Sequence, residues 1–530
     1  MSLGSVFSVA SRVPLALRLA LAWWFLCSPV LWMWPSDRTL LDTVVSAAVL
    51  APLFLWRRCG QLAAWLLVWI GAAYLGYFFA VRSLPDTYFW FTVMGSHASE
   101  ALEYVSTYRW QDAALWAAWV VSALWVAWWL SRHARPVRSA WLRAVLVSLA
   151  VVWVAWGVVS AYKGDSVEAT LRKINRVYPL ALFESYARHQ VAASQVYVVP
   201  EVAAPTSPAR ADLIVVVLGE SASAHRWSLL GYEGHDTNAV LRPWRPAMQV
   251  FPVMASGSNT AQTVPVLLSG QPMDDLPEKG LPTYLDWARA AGFKVVTLSN
   301  QSSSGTEETF FHTAYRQRSD VFLNLPDGEW DGALTEPLDE VLARPNPAAE
   351  TRPQLITLHT YGSHPRTAKR YPPERAQWED SYDNSIAYSS ELLAQWIERL
   401  QEHWSDRRVV LLYISDHGLN LPSCGGQYTH GNARSAYEVP MMVWTNAAFQ
   451  AAQPAWVAGA DAQARLDPAG IPRYDNRVFA ATIADLLGYA MPYPSLASAA
   501  VVPPPQLDGM PYRERAMADA CQVRSTEAPQ

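Results

Sequence analysis

Hydrophobic positions fall along this chain in two regimes. Up to residue 162 they form long, nearly unbroken runs, roughly 13–34, 40–57, 62–82, 112–131 and 141–162. Each is close to the ~20 residues a helix needs to cross a bilayer, so five membrane-spanning helices are predicted. Beyond residue 210 the apolar runs shorten and become rich in β-branched residues, at 213–218, 294–298, 355–359, 409–414 and 440–444. Short, continuous runs of this kind suit strands of a sheet covered on both faces. Helical patterns at 284–291 and 384–403 suit crossovers between them. The expected fold is an N-terminal five-helix transmembrane bundle followed by an α/β domain, with a mainly parallel sheet flanked by helices.

The connecting stretches refine this layout. Arg12 and Arg18, Arg57 and Arg58, and the group Arg132, Arg135 and Arg138 fall on one side of a five-span chain. The positive-inside rule makes that side cytoplasmic, which places the N-terminus inside and everything after residue 162 outside. The first run lacks a small-residue cleavage site and four more runs follow, so it reads as a membrane helix rather than a removed signal. Segment 83–111 then lies on the outer face. There Thr92, Ser96 and Glu100 recur every four residues and share one helical face. That stripe is either a solvated face or a site for a lipid headgroup amine with Glu100 as counter-ion. Residues 162–189 read as an amphipathic helix, and 191–210, with Pro200, Pro205 and Pro208, as a linker. The expected organisation is a transmembrane domain over 1–165, a bridging helix and linker over 166–210, and an outer domain over 211–530.

Composition sharpens the picture in three respects. The 26 tryptophans among 530 residues crowd the first third, as membrane helices with interfacial aromatics would require. A net charge of −5 argues against a nucleic-acid partner. The four cysteines, Cys27, Cys59, Cys424 and Cys521, have no metal-type spacing.

Candidate chemistry lies where the predicted strands end. In parallel α/β sheets ligands bind outside the carboxyl ends of the strands. Run 213–218 leads into Glu220, 355–359 into His364, and 409–414 into Asp416 and His417, with His430 in a following loop. A further apolar run, 250–254, breaks at Ser256-Gly257-Ser258-Asn259 and resumes at Thr260 as a helix start, with Pro265 in its early turns. A threonine hydroxyl at a helix N-terminus sits where an anion or alkoxide is favoured, yet its pKa is so high that it needs a metal to become a nucleophile. Carboxylates and imidazoles are ligands that Zn²⁺ accepts. Glu220, Thr260, Asp416 and His417 are therefore expected to hold one ion. His364 and His430 are poised for a second ion or for proton transfer. His225, His235, His312 and His403 lack that placement and are expected at the surface or in packing.

These residues, in this order, resemble the bacterial phosphoethanolamine transferases, membrane-anchored members of the sulfatase and alkaline-phosphatase superfamily. The resemblance rests on Val217-Leu-Gly-Glu-Ser221, Ser228-Leu-Leu-Gly-Tyr232, Thr260 five residues before Pro265, Gly362-Ser-His364, Tyr382-Asp-Asn-Ser-Ile386, Ser415-Asp-His-Gly418 and Thr429-His-Gly431. With the five predicted spans it covers nearly the whole chain. It implies a bacterial inner-membrane enzyme with its catalytic domain in the periplasm. Phosphatidylethanolamine would donate phosphoethanolamine to Thr260, and the group would then pass to lipopolysaccharide core, lipid A or a related glycan. It implies zinc on Glu220, Thr260, Asp416 and His417, and phosphoryl binding, proton transfer or a second zinc at His364 and His430. Thr92, Ser96 and Glu100 fall where relatives hold the ethanolamine headgroup, and the protein is expected to act as a monomer. Lipid A-modifying relatives place cysteines where this chain has Ser256 and Val266, so the likeness leans toward the cysteine-poor branch that modifies the core. A sulfatase needs C/S-x-P-x-R for its formylglycine, and Val264-Pro265-Val266 lacks it. A glycerol-phosphate transferase, a phosphodiesterase or an inactive envelope protein of the same fold are the alternatives.

Overall fold

The computed structural model describes residues 14–29, 31, 37–81, 89–90, 93, 109–133, part of 139–190, and 198–518 apart from 272–279, 302–309, 327, 344–351, 425–427, 432, 463 and 508–509. Contacts divide the chain into two compact units, one of residues 1–90 and 108–190, the other of 91–107 and 191–530.

In the first unit, four helices follow the long apolar runs: Leu15–Leu26, Asp37–Leu50, Arg57–Val81 and Trp110–His133. Among the described residues two segments, Arg57–Phe79 and Trp110–His133, are long and apolar enough to cross a membrane. The first two predicted spans appear as shorter helices, and most of the fifth, 141–162, lies outside the described residues. Gly71 lets the two long helices approach closely, since a Cβ there would clash with the Trp119 ring. Trp116 Nε1 donates to the Ala72 carbonyl at 2.9 Å, and Gln61 Nε2 to the Ser131 carbonyl at 2.7 Å. These two side-chain donors are thus satisfied between helices, as an apolar surrounding demands. Facing outward, Leu62, Trp69, Val121 and Trp125 are all more than half exposed. Large apolar surfaces of this sort mark contact with lipid or protein.

The second unit is built on a seven-stranded sheet. Its strands are β1 (Leu213–Gly219), β2 (Met248–Met254), β3 (Lys294–Ser299), β4 (Val321–Asn324), β5 (Gln354–His359), β6 (Val409–Ser415) and β7 (Glu438–Thr445), in the order β2-β7-β6-β1-β5-β3-β4. Five of them, β4, β3, β5, β1 and β6, run parallel in sequence across the sheet. β7 is antiparallel to both β6 and β2. The sheet is mainly parallel, as its continuous apolar strands predicted. Alternate residues of β1 (Leu213, Val215, Val217) join a core with Ile386, Leu393, Trp396 and Ile397 of the helix Ser381–Trp404. Ile214, Val216 and Leu218 are equally buried on the opposite face. Helices Thr260–Ser269, Tyr284–Ala290, Phe310–Arg318 and Arg477–Leu486 pack against one another. Edge strand β4 carries half-exposed Val321 and Leu323 and is too short to stand out in the apolar pattern.

Register aligns the functional strand ends. Gly219 of β1 lies opposite Ser415 of β6, and Leu218 lies opposite His359 of β5. The residues that follow, Glu220, Asp416 and Thr360, therefore leave the sheet side by side.

Candidate metal centre and nucleophile

Glu220, Asp416 and His417 are completely buried, and each offers one donor atom such that all three atoms lie within 4.8 Å of one another. Two carboxylates enclosed this closely repel each other and call for a cation. Asp416 is oriented by its own turn, with Oδ1 accepting from the Ser221 N–H at 3.1 Å and the His417 N–H at 2.7 Å. Its Oδ2 is buried and has no hydrogen-bond partner; His417 Nε2 lies 3.5 Å away as a charge neighbour only. The His417 ring is fixed from behind, with Nδ1 2.8 Å from the Gly418 carbonyl. Nδ1–H donates there, so Nε2 faces Glu220 Oε1 at 3.2 Å. A neutral imidazole in this tautomer presents its lone pair to an ion, as zinc-binding histidines do. The donor set and the orphaned Asp416 oxygen fit a divalent metal.

Protonation follows from the crowding. Burial opposes the charged form of Glu220, but His417, with further help from His364 and Ser221, holds its carboxyl well below the usual range. Burial, reinforced by the Glu220 charge, pushes Asp416 up to about 8. Burial pulls the His417 pKa down, and the adjacent Asp416 and Glu220 carboxylates more than reverse this, raising it to about 9.

Thr260 completes the cluster. Its Oγ1 donates to Glu220 Oε2 at 3.1 Å and lies 3.5 Å from His417 Nε2. Glu220 Oε1 is occupied by the Ser221 hydroxyl at 2.6 Å. The helix N-terminus expected at Thr260 is present, with one refinement: Asn259 is the N-cap, its side chain accepting from the Gln262 N–H, and Thr260 is the first helical residue. The Thr260 hydroxyl is thereby released from capping. Pro265 sits in the second turn of the helix Thr260–Ser269, at the cost of one helical hydrogen bond.

His430 joins the cluster, its ring centroid 4.7 Å from that of His417. Its Nδ1 is 2.7 Å from the Ser258 carbonyl, which ties its loop to the segment preceding Thr260. His364 is buried close enough to interact with the Glu220 charge. Burial pushes His364 down to about 3 and His430 down to about 4. Both rings are neutral at pH 7, each with one donor and one acceptor nitrogen.

Sequence reasoning assigned no role to the supports of this site. Gly362 adopts a left-handed φ of 53°, and a Cβ on it would come within 2.6 Å of the Glu220 carbonyl oxygen. Asp331 is buried and pins that turn, accepting from the Tyr361 N–H at 2.7 Å, the Gly362 N–H at 2.8 Å and Asn300 Nδ2 at 2.8 Å. Tyr382 OH donates to the Ser221 carbonyl at 2.7 Å and accepts from the Ser223 N–H at 2.8 Å. These bonds hold Ser221 in its unusual left-handed φ of 59°. The Gly-Ser-His pattern was a signal for Gly362 and the Tyr-Asp-Asn pattern for Tyr382, whereas nothing in the sequence distinguished Asp331.

Three of the histidines expected at the surface or in packing sit outside the cluster. His225 pairs with Glu438 at 2.9 Å, His235 pairs with Asp383 at 2.7 Å and stacks on Trp378, and His312 is buried beside Asn324. Thr92, Ser96 and Glu100, and Cys521 with them, lie outside the described residues.

The sulfatase family pattern matches residues 212–489, more than half of the chain. A curated relative, the putative transferase YhbX of Escherichia coli K12, is 32% identical over 251 residues, covering 44% of this chain and 43% of its own. The phosphoethanolamine transferase EptA of the same organism is 30% identical over 273 residues, covering 46% of this chain and 48% of its own. The chain thus spans about half the length of the curated relatives it matches. Among solved structures, the integral membrane protein lipooligosaccharide phosphoethanolamine transferase A (EptA) from Neisseria meningitidis superposes with a TM-score of 0.56 over 89% of this chain and 95% of its own, at 18% identity. That likeness establishes the fold.

Proposed function

From a chain that belongs to the sulfatase family, we propose a zinc-dependent phosphoethanolamine transferase that takes its group from phosphatidylethanolamine and passes it to an envelope glycolipid, lipopolysaccharide core or lipid A. The observation that carries this reading is the Thr260 hydroxyl 3.1 Å from Glu220 and 3.5 Å from His417, at the edge of a buried three-ligand cluster. Relatives named phosphoethanolamine transferases support the choice of group. Sulfate-ester hydrolysis by the formylglycine route has no support, because the nucleophile position is a threonine.

Glu220, Asp416, His417 and Thr260 would hold the ion. When bound there, zinc supplies Lewis acidity that lowers the hydroxyl pKa and offsets charge on phosphoryl oxygens. Glu220 and His417 orient the Thr260 hydroxyl for attack on phosphorus. Neutral His364 and His430 would hold phosphoryl oxygens and exchange a proton with the departing or incoming oxygen; alternatively they would bind a second ion. The covalent phosphoethanolamine-threonine lets one site serve donor and acceptor in turn. In this reading the N-terminal unit spans the inner membrane five times, with the N-terminus cytoplasmic and the catalytic unit periplasmic. Thr92, Ser96 and Glu100 would hold the ethanolamine headgroup at the membrane face.

The test is intact-mass analysis of the purified protein incubated with phosphatidylethanolamine, wild type beside Thr260→Ala. Wild type is expected to gain one phosphoethanolamine and the variant none. Because Asn259 caps the helix, the variant should stay folded with a similar Tm. An adduct of equal yield on Thr260→Ala would refute the nucleophile.

A further inference from the structure

Asn259 is assigned no chemistry by the reading above, on which the following inference rests. Its side chain is 6% exposed and belongs to the residue immediately before the nucleophile. Its two ends have unequal fates. Oδ1 accepts the Gln262 N–H at 3.1 Å, closing the first turn of the helix Thr260–Ser269. The orientation of the amide is thereby fixed, since turning it over would set an NH₂ against an N–H. Nδ2, with its two hydrogens, is buried and has no hydrogen-bond partner.

A buried donor without a partner is costly, and in native proteins such groups call for a ligand, a water or a catalytic role. Capping alone does not explain it. Serine, threonine or aspartate caps a helix as well as asparagine does, with no buried NH₂ left over. What sets asparagine apart is a spare donor on the residue preceding Thr260, at the N-cap of its helix, the positive end where oxyanions are stabilised.

We infer that Asn259 is a catalytic residue whose Nδ2 donates a hydrogen bond to a non-bridging phosphoryl oxygen as Thr260 is phosphorylated. In that step the bond from Thr260 Oγ1 to phosphorus forms while the phosphorus–oxygen bond to diacylglycerol breaks. The hydroxyl proton ends on the released diacylglycerol oxygen. Negative charge concentrates on the non-bridging oxygens during the displacement, and a preorganised amide donor is worth most at that moment. The same amide thus fixes the helix that carries the nucleophile and completes the cradle for the group it attacks.

Two variants of the full chain separate capping from catalysis. Asn259→Gly removes the amide without adding charge, and glycine is itself an accepted N-cap. Asn259→Asp keeps the capping oxygen and the shape but has no NH₂. The rate of mass gain is followed in detergent micelles over a range of phosphatidylethanolamine concentrations, with zinc content measured in parallel. Both variants are expected to retain wild-type zinc and near-wild-type half-saturation, with adduct formation at saturating donor slowed about 100-fold, as for loss of one oxyanion donor. Adduct formation by Asn259→Gly within 3-fold of wild type overturns the assignment. So does a loss of zinc that accounts for the slowing, because it would make Asn259 a structural residue only. A wild-type chain that itself gains no mass overturns the phosphotransfer reading and this inference together, whereas normal gain in wild type and Asn259→Gly alike overturns the inference alone.

Discussion

A glycine at 362 does what no other residue could at that point. It combines a left-handed backbone with contact against the Glu220 backbone, where an added Cβ would lie 2.6 Å from the carbonyl oxygen and 2.8 Å from the nitrogen. Neither backbone atom can turn aside as a flexible side-chain end could. Gly362→Ala must therefore displace Glu220 or open the turn held by Asp331. The expected cost is about 1–3 kcal/mol from backbone strain alone, accompanied by weaker zinc binding. Chemical denaturation and metal content measured on the same preparation check both; a variant with unchanged zinc affinity would mean that Glu220 tolerates the push and that Gly362 serves folding only. At this scale the sequence was only partly legible. Glu220, Asp416, His417 and Thr260 declared themselves by residue type at predicted strand and helix ends. Asp331 acts on them through backbone N–H groups, which leave no compositional trace, and the Gly-Ser-His pattern marked Gly362 without revealing the contact that requires it.

At the scale of elements, the centre exists because parallel strands stop in register. β1 and β6 run side by side to Gly219 and Ser415, so the next residues, Glu220 and Asp416, meet without long loops. This much followed from apolar runs of similar length. What those runs could not convey was direction: the stretch 440–444 looks like its neighbours, yet β7 is antiparallel, and strand polarity is set by connection rather than by composition. The crowding of the strand ends also sets a pH dependence. In the metal-free cluster Asp416 is raised to about 8 and His417 to about 9, so at neutral pH the ligands retain protons that an ion must displace. Zinc affinity is expected to rise as pH increases from 6 to 9 and to fall on acidification. Calorimetric titration with zinc at pH 7, in buffers of different ionisation enthalpy, should register release of about one proton or more per ion. Binding without proton release would exclude Asp416 and His417 as joint ligands.

For the whole molecule the question is what the helical unit adds to a centre it does not supply. Glu220, Thr260, His364, Asp416, His417 and His430 all lie within 191–530, the part of the second unit that holds its sheet and core. The first unit holds a separate core of apolar and aromatic side chains, including Leu67, Trp119 and Ala123. A fragment of residues 198–530 is therefore expected to fold and to bind zinc as the full chain does. A fragment that fails to bind zinc would show that the helical unit shapes the centre itself. If the helical unit instead acts as a membrane tether, it confines the site to the surface where a lipid donor is concentrated and makes encounter effectively intramolecular. The fragment should then form the Thr260 adduct at least 10-fold more slowly than the full chain when phosphatidylethanolamine is presented in a bilayer, an order-of-magnitude expectation for losing effective concentration. With a short-chain, water-soluble donor the gap should narrow, since both proteins then meet the donor by diffusion. A gap of equal size with both donors would point away from tethering and toward a direct part in donor recognition for residues that the fragment lacks. That is the role foreseen for Thr92, Ser96 and Glu100, and Glu100→Ala in the full chain would then reproduce the slow rate of the fragment.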